Sequence, residues 1–250
     1  MSAIEEQLPG GNVGGAVKVG DTVRRETGPW TPAVHAFLAY LAPRVPYVPR
    51  VLGFDERGRE VLSYLPGKVI DTDTGTESLS LEQITALVRW TRDFHHAAAG
   101  FSHPGPWRYF PLTTPSLIGH NDIAPYNVCF DGDALAGVFD WDLAGPTTPL
   151  YELAFIAWNC VPLWRDIGAE AAAARLTVIA DSYSGYPPSQ ILRTVPYRIR
   201  TMLDGIPVAA AAGDEGMARL LTRGEPDQSS RALAGLLERI PGIDRLLTAR

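Results

Sequence analysis

Asp122, Asn127 and Asp140 stand within one stretch, IGHNDIAPYNVCFDGDALAGVFDWDLAGP (residues 118–146), which carries five Asp, two Asn and one His. Around them lie Val128, Phe130, Val138 and Phe139, residue types that favour buried strands. An Asp, an Asn five residues on and a second Asp 13 residues after that offer hard oxygen ligands suited to magnesium, plus a further carboxylate. LIGH and YNVCF bracket Asn121 to Pro125, and AGVFDW follows a turn at DGDAL, so the polar residues fall at strand ends and in loops. A rigid apolar hairpin can hold His120, Asp122, Asn127 and Asp140 in fixed relative positions, as catalysis demands. Turn chemistry is the bland alternative, because Asp and Asn are common in loops. Asp142 either touches a metal or caps a loop.

The elements that must position these residues fall into two patterns. AVKV and TVRR flank Gly20-Asp21, which predicts a β-hairpin over Ala16 to Arg25. In WTPAVHAFLAYLAP, Thr31 is placed to cap a helix, Pro32 to open it and Pro43 to stop it, with Val34, Phe37, Leu38 and Leu41 on one face. RVLGF and REVLSYL form a second hairpin around DERG and end at Pro66-Gly67. From Ser80, a cap for SLEQITALVRWTRDFHHAAAG, the chain turns helical, interrupted by two short strands in the 118–146 stretch. PLYELAFIAWNCVPLW, DIGAEAAAARLTVIADSYSG, SQILRTVPYRIRTMLDGI and the last 40 residues also read as mainly helical. His95 and His96 end a helix and pack; His35 and His103 have no assignment beyond placement in core or surface.

At 250 residues the chain is one large domain or two packed lobes, and 46% hydrophobic with 20% charged residues is ordinary for a folded protein. No run of about 18 uncharged apolar residues predicts a membrane span. The start, MSAIEEQLPGG, does not read as a secretion signal, and Cys129 and Cys160 read as packing residues, so the expected setting is the cytoplasm. A net charge of −6 argues against a nucleic-acid partner and suits a cationic or neutral small molecule.

The spacing is that of kinase machinery, in which H-R-D-x-x-x-x-N precedes a later metal-binding Asp. HNDIAPYN and FDWD stand in those places. The segment resembles the aminoglycoside phosphotransferase and choline kinase superfamily, whose motif is H-G-D or H-N-D, four residues, Asn, then an I-D-W/F strand end. REVLSYLPG is similar to the family's hinge strand ending in L-P-G, LVRWTRDFHHA to its helix ending in L-H, and GPTTPLYELA to its G-P-x-x-D-L-A segment. The resemblance runs from Gly10 to Trp164.

The resemblance implies an α+β, protein-kinase-like bilobal fold: a small antiparallel-sheet N-lobe with one helix (1–66, nucleotide-binding) and a larger, mainly helical C-lobe (67–250, catalytic and acceptor-binding). It implies magnesium-dependent transfer of the γ-phosphate of ATP or GTP to a hydroxyl of a small molecule, such as an amine-bearing antibiotic or metabolite, without nucleic-acid or membrane partners. In that reading Asp122 is the catalytic Asp, His120 braces the loop, and Asn127 and Asp140 are magnesium ligands. The backbone of Ser63, Tyr64 and Leu65 meets the base, and Gly11 and Gly14 in PGGNVGG bring amides to a phosphate. Alignment of the hydroxyl matters more than basicity, since an ordinary Asp has a pKa near 3.9.

Two departures from the family stand out. The third strand supplies Arg where the family uses Lys; alternation puts Val23 and Arg25 on one face, making Arg25 the first candidate and Arg24 the second. The helix that should supply a Glu partner offers only Val34 and His35. A non-catalytic, nucleotide-binding pseudokinase is therefore the main rival. A nucleotide-sugar transferase using DWD (140–142) as a metal motif is disfavoured, because the first 66 residues lack βαβ alternation. Asp166, Asp204, Asp214 and Glu215 are candidates to receive an amine-bearing acceptor.

Overall fold

The computed structural model describes residues 5–8, 15–70, 78–108, 112 and 114–249. Gly11 and Gly14 lie outside the described residues. Five antiparallel strands open the chain: β1 (Glu6–Gln7), β2 (Val17–Val19), β3 (Thr22–Arg25), β4 (Val51–Phe54) and β5 (Glu60–Ser63), in the order β1-β2-β3-β5-β4. Gly20 turns β2 into β3 at φ 59°, a conformation that costs glycine nothing. In the β3/β5 register Arg25 faces Glu60 and Val23 faces Leu62.

Helix α1 (Thr31–Leu41) buries Val34, Phe37, Leu38 and Leu41, as its periodicity predicts. Its cap differs from expectation. Trp30 occupies the N-cap in a helical conformation without a side-chain cap, while the Thr31 hydroxyl accepts the Gly28 N–H at 2.9 Å and so closes the turn before the helix. Phe37 meets Phe94, Phe101, Trp107 and Trp141 with ring centroids 4.8–6.4 Å apart, which anchors α1 in the aromatic core of the helical part.

Beyond Gly67 the chain forms β6 (Lys68–Val69), α2 (Leu81–Ala98), β7 (Leu117–Gly119), β8 (Val128–Asp131), β9 (Ala134–Val138) and β10 (Gly145–Thr147). Strands β6, β8 and β9 make one small antiparallel sheet, and β7 pairs with β10. The stretch expected to hold two short strands thus contributes four. Ser80 and Gln83 form the capping box of α2. Helices α3 (Pro149–Cys160), α4 (Ala169–Tyr183), α5 (Pro188–Ala211), α6 (Glu215–Thr222) and α7 (Glu225–Thr248) complete the chain. One hydrophobic cluster runs from α1 through α2 and the β8–β9 hairpin into α3, α4, α5 and α7.

This is a protein-kinase-like bilobal α+β fold, with a small antiparallel sheet and one helix above a larger helical part. Among the described residues no helix is long and apolar enough to cross a membrane.

Candidate active site

The loop between β7 and β8 holds Asp122, and its neighbours fix it on every side. Asn121 sits at φ 63°, a left-handed conformation that Asn tolerates better than most residues. Its N–H donates to Glu152 Oε1, its side-chain Nδ2 to the carbonyls of Leu143 and Gly145, and its carbonyl accepts from Arg198 Nη2 at 2.7 Å. Glu152, in the first turn of α3, is buried; its Oε2 pairs with Nε2 of His95 from α2, whose Nδ1 lies 2.8 Å from Tyr183 Oη on α4. Gly119 makes this approach possible, because a Cβ there would lie 2.4 Å from Thr147 Cγ2 and 2.6 Å from Glu152 Oε2. His95 is therefore a network residue rather than simple packing.

His120 is fully buried beneath the loop. Its Nδ1 accepts the Asp122 N–H at 3.2 Å, which assigns the proton to Nε2, donating to the Phe139 carbonyl at 3.0 Å. Burial lowers its pKa, so it stays neutral. The Asp122 carboxylate accepts from Asn127 Nδ2 at 2.8 Å and from Tyr126 Oη at 3.3 Å. Burial first, and the Asp140 carboxylate second, push the Asp122 carboxyl up to about 8, against the nearby Arg198 charge and these hydrogen bonds.

Asn127 and Asp140 flank the open end of the β8–β9 hairpin, where Phe139 N–H donates to the Asn127 carbonyl at 3.0 Å. Asn127 Nδ2 is held by the carbonyl and carboxylate of Asp122, which leaves Oδ1 as the acceptor end of the amide. Asp140 adopts φ 62°, ψ 64°, a left-handed turn that carries its carboxylate toward Arg25. Among the described residues no group of three or more His, Cys, Asp or Glu is arranged to hold a metal alone. Magnesium commonly uses one or two protein oxygens and takes the rest from phosphates and water, and the Asn127 and Asp140 oxygens fit that donor set.

Arg25, not Arg24, faces this loop. Arg25 Nη2 lies 2.6 Å from Asp140 Oδ1 and 3.1 Å from Asp142 Oδ2, and Nη1 lies 3.4 Å from Glu60 Oε1. Arg24 turns the other way, to Thr22 and Asp55. Burial works against the Arg25 charge, but Asp140, Asp142 and Glu60 outweigh it and hold its pKa above the ordinary value. Asp142 neither caps a loop nor stands free: its Oδ2 also accepts from Arg108 Nη1 at 3.3 Å. Burial and Asp140 push the Asp142 carboxyl up to about 6, while Arg25 and Arg108 oppose the rise. Arg108 stacks on Trp30 at 4.2 Å and forks onto both oxygens of Asp214 at 2.7 Å. Asp214 also caps α6, so it is engaged within the protein rather than presented to an acceptor.

The expected base-binding backbone is partly used by the fold. Ser63 N–H donates to the Arg50 carbonyl and Tyr64 N–H to the Asp21 carbonyl, both at 2.9 Å. This leaves Ser63, Tyr64 and Leu65 at the exit of β5, without a continuous row of available donors.

The sequence profile of the phosphotransferase enzyme family matches residues 24–114 and 107–192, which contain Arg25, Asp122, Asn127 and Asp140. The chain belongs to the phosphotransferase enzyme family. It is 34% identical over 172 residues to the trifolitoxin immunity protein of Rhizobium leguminosarum bv. trifolii; the match covers 65% of this chain and 64% of that protein, just under two thirds of each. Among solved structures it is similar to a choline/ethanolamine kinase family protein from Mesorhizobium loti (TM-score 0.63, 17% identity, 99% of this chain and 92% of that one). It is also similar to wild-type aminoglycoside 2'-phosphotransferase-IIIa in a GDP complex (TM-score 0.61, 14% identity, 94% of each chain). At such identities the structural likeness concerns the fold.

Glu60, Asn121 and Arg108 are residues of the candidate site given no role from sequence, and His35, noted only for its place on the helix, pairs with Glu60. For Glu60 a signal existed: a carboxylate opening a strand, EVLS, beside apolar Val61 and Leu62 has to face a cation or water. Arg108 stands 34 residues from Asp142 and 106 from Asp214, with no local pattern to mark it.

Proposed function

We propose that this phosphotransferase moves the γ-phosphoryl group of ATP or GTP to a hydroxyl of a small molecule, with magnesium as the metal. The observation that carries the reading is the convergence of Asp122, Asn127, Asp140 and Arg25 on one loop-and-hairpin site, braced by His120 and Asn121. Asn127 Oδ1 and Asp140 would hold the magnesium ion, which when bound neutralises charge on the phosphates. Arg25 would turn its Nη2 end from Asp140 to a phosphate oxygen. Ser63, Tyr64 and Leu65 would border the base, with Gly11 and Gly14 over the phosphates.

Asp122 would align the acceptor hydroxyl and take its proton as the bond to phosphorus forms. Asn127 fixes the direction of the Asp122 carboxyl group, and the nearby Arg198 charge, together with the bound magnesium ion, would favour the ionised form that accepts the proton. Transfer then rests on alignment and charge neutralisation. Residues 1–66 would form the nucleotide side and 67–250 the acceptor side, in the cytoplasm, where free buried Cys129 and Cys160 are at home.

The GDP complex of the aminoglycoside enzyme supports a nucleotide donor, and its aminoglycoside class supports a hydroxyl-rich, amine-bearing acceptor. The name of the trifolitoxin immunity protein is compatible with a toxin as the acceptor. The pseudokinase alternative drew on the absent helix carboxylate; Glu60 beside Arg25 weakens that ground. The test is a screen of hydroxyl-bearing acceptors for acceptor-dependent nucleoside diphosphate formation, run with wild type and Asp122→Asn. The expected result is turnover with at least one acceptor, lowered about 10²- to 10⁴-fold by the substitution. Turnover that Asp122→Asn leaves intact would remove Asp122 from its role.

A further inference from the structure

Glu60 is 2% exposed, a carboxyl side chain buried at the first position of β5. A buried carboxylate is costly unless its oxygens are paired, and both of its oxygens are. Oε1 lies 3.4 Å from Arg25 Nη1, across the strand pair where register sets the two residues face to face. Oε2 lies 2.8 Å from His35 Nε2. His35 projects from α1 and its ring packs on Phe54 of β4 with centroids 5.2 Å apart. The α1 helix is itself tied into the aromatic core through Phe37.

The Arg25 guanidinium is thus gripped at two ends. Its Nη2 end meets Asp140 and Asp142, and its Nη1 end meets Glu60. On the functional reading above, on which this inference rests, Asp140 turns to a metal ion and Nη2 to a phosphate oxygen. Nothing in that exchange calls on the Nη1 end. Glu60 then holds the Nη1 end while Asp142 stays 3.1 Å from Nη2, and with the side chain rooted in β3 this second attachment limits the directions the planar fork can take.

We propose that Glu60, held by His35 of α1, is the positioning residue that aims Arg25 at the nucleotide phosphates. The device places the carboxylate on a strand and the histidine on the helix, so α1 reaches Arg25 through two side chains. An Arg is longer than a Lys, and a partner directly across the sheet suits it better than one on α1, which contains no Asp or Glu.

The test separates phosphate binding from general damage. Dissociation constants are measured for magnesium with a nucleoside triphosphate, and for the bare nucleoside, in wild type, Glu60→Gln, His35→Leu and His35→Gln. Glu60→Gln is expected to weaken the triphosphate about 10- to 100-fold and leave the nucleoside unchanged. His35→Leu is expected to weaken the triphosphate in the same selective way, and His35→Gln, which keeps a donor for Glu60, to restore most of the affinity. Wild-type affinity in Glu60→Gln, or equal losses for nucleoside and triphosphate, would overturn the proposal. If Glu60→Gln does not fold, the two His35 variants decide: an unaffected His35→Leu overturns it. A wild type that binds no triphosphate would sink the functional reading itself and this inference with it.

Discussion

Asn127 uses one amide in two directions. Its Nδ2 holds both the backbone and the carboxylate of Asp122, at 3.0 and 2.8 Å, and its Oδ1 is left for a cation. Asn127→Ala removes both ends at once. The expected outcome is a rise of about tenfold or more in the magnesium concentration needed for half-maximal turnover, with slower turnover at saturation, read from magnesium titrations of the transfer reaction. At this scale much of the candidate site was legible in the sequence. HNDIAPYN and FDWD placed Asp122, Asn127 and Asp140 by local spacing, and strand alternation chose Arg25 over Arg24. Glu60 was marked only by its type and His35 only by its place on the helix; their link to Arg25 was not legible, because a cross-strand register and the packing of α1 make it. Arg108 could not be found from spacing at all.

The elements show where short-range pattern runs out. Helices α1 and α2 follow their apolar periodicity, and Ser80 caps α2 as its S-x-x-Q pattern predicts. Strands β6 and β10 have two and three residues, too few for an alternation to register, yet β10 carries the Gly145 carbonyl that holds Asn121. Glu152 at the start of α3 joins three elements, binding the Asn121 N–H and His95. Burial opposes its charge, but the His95 hydrogen bond and charge, with the Asn121 amide, hold its pKa below the ordinary value. A carboxylate lowered in the folded state stabilises the fold above its unfolded pKa of about 4.3 and loses that contribution as pH falls through the folded value. Wild type should therefore melt above Glu152→Gln at pH 7, and the gap should narrow steadily below about pH 4. Thermal melts from pH 7 to pH 3 check this; a gap constant across the range would contradict it.

Across the whole molecule, Arg108 ties distant parts together. It stacks on Trp30 at the start of α1, reaches Asp142 beside Arg25 and forks onto Asp214 at the start of α6. Asp214→Asn keeps a good N-cap for α6 while removing the charge that the fork grips. The expected loss is about 1–3 kcal/mol, a fall in melting temperature of roughly 2–12 °C, with helical content unchanged by circular dichroism. The bilobal fold was readable from the change along the chain from strand to helix pattern, and the depth to which Phe37 roots α1 in the helical part was not. That packing depends on aromatic residues from α2, the segment after it and the turn following Asp140, which no single stretch displays together.

The proposed magnesium-dependent nucleotide site built on Asp140 can be tested without knowing the acceptor. Melting temperature is measured with ATP or GTP, with and without magnesium, for wild type and for Asp140→Asn, which tolerates the left-handed backbone at this position. Nucleotide at about 100 times its dissociation constant adds roughly 2.7 kcal/mol, a rise on the order of 5–10 °C for a chain of this size. Such a rise is expected with at least one nucleotide, dependent on magnesium and lost in Asp140→Asn. No rise with either nucleotide, or a rise that persists in Asp140→Asn, would contradict it.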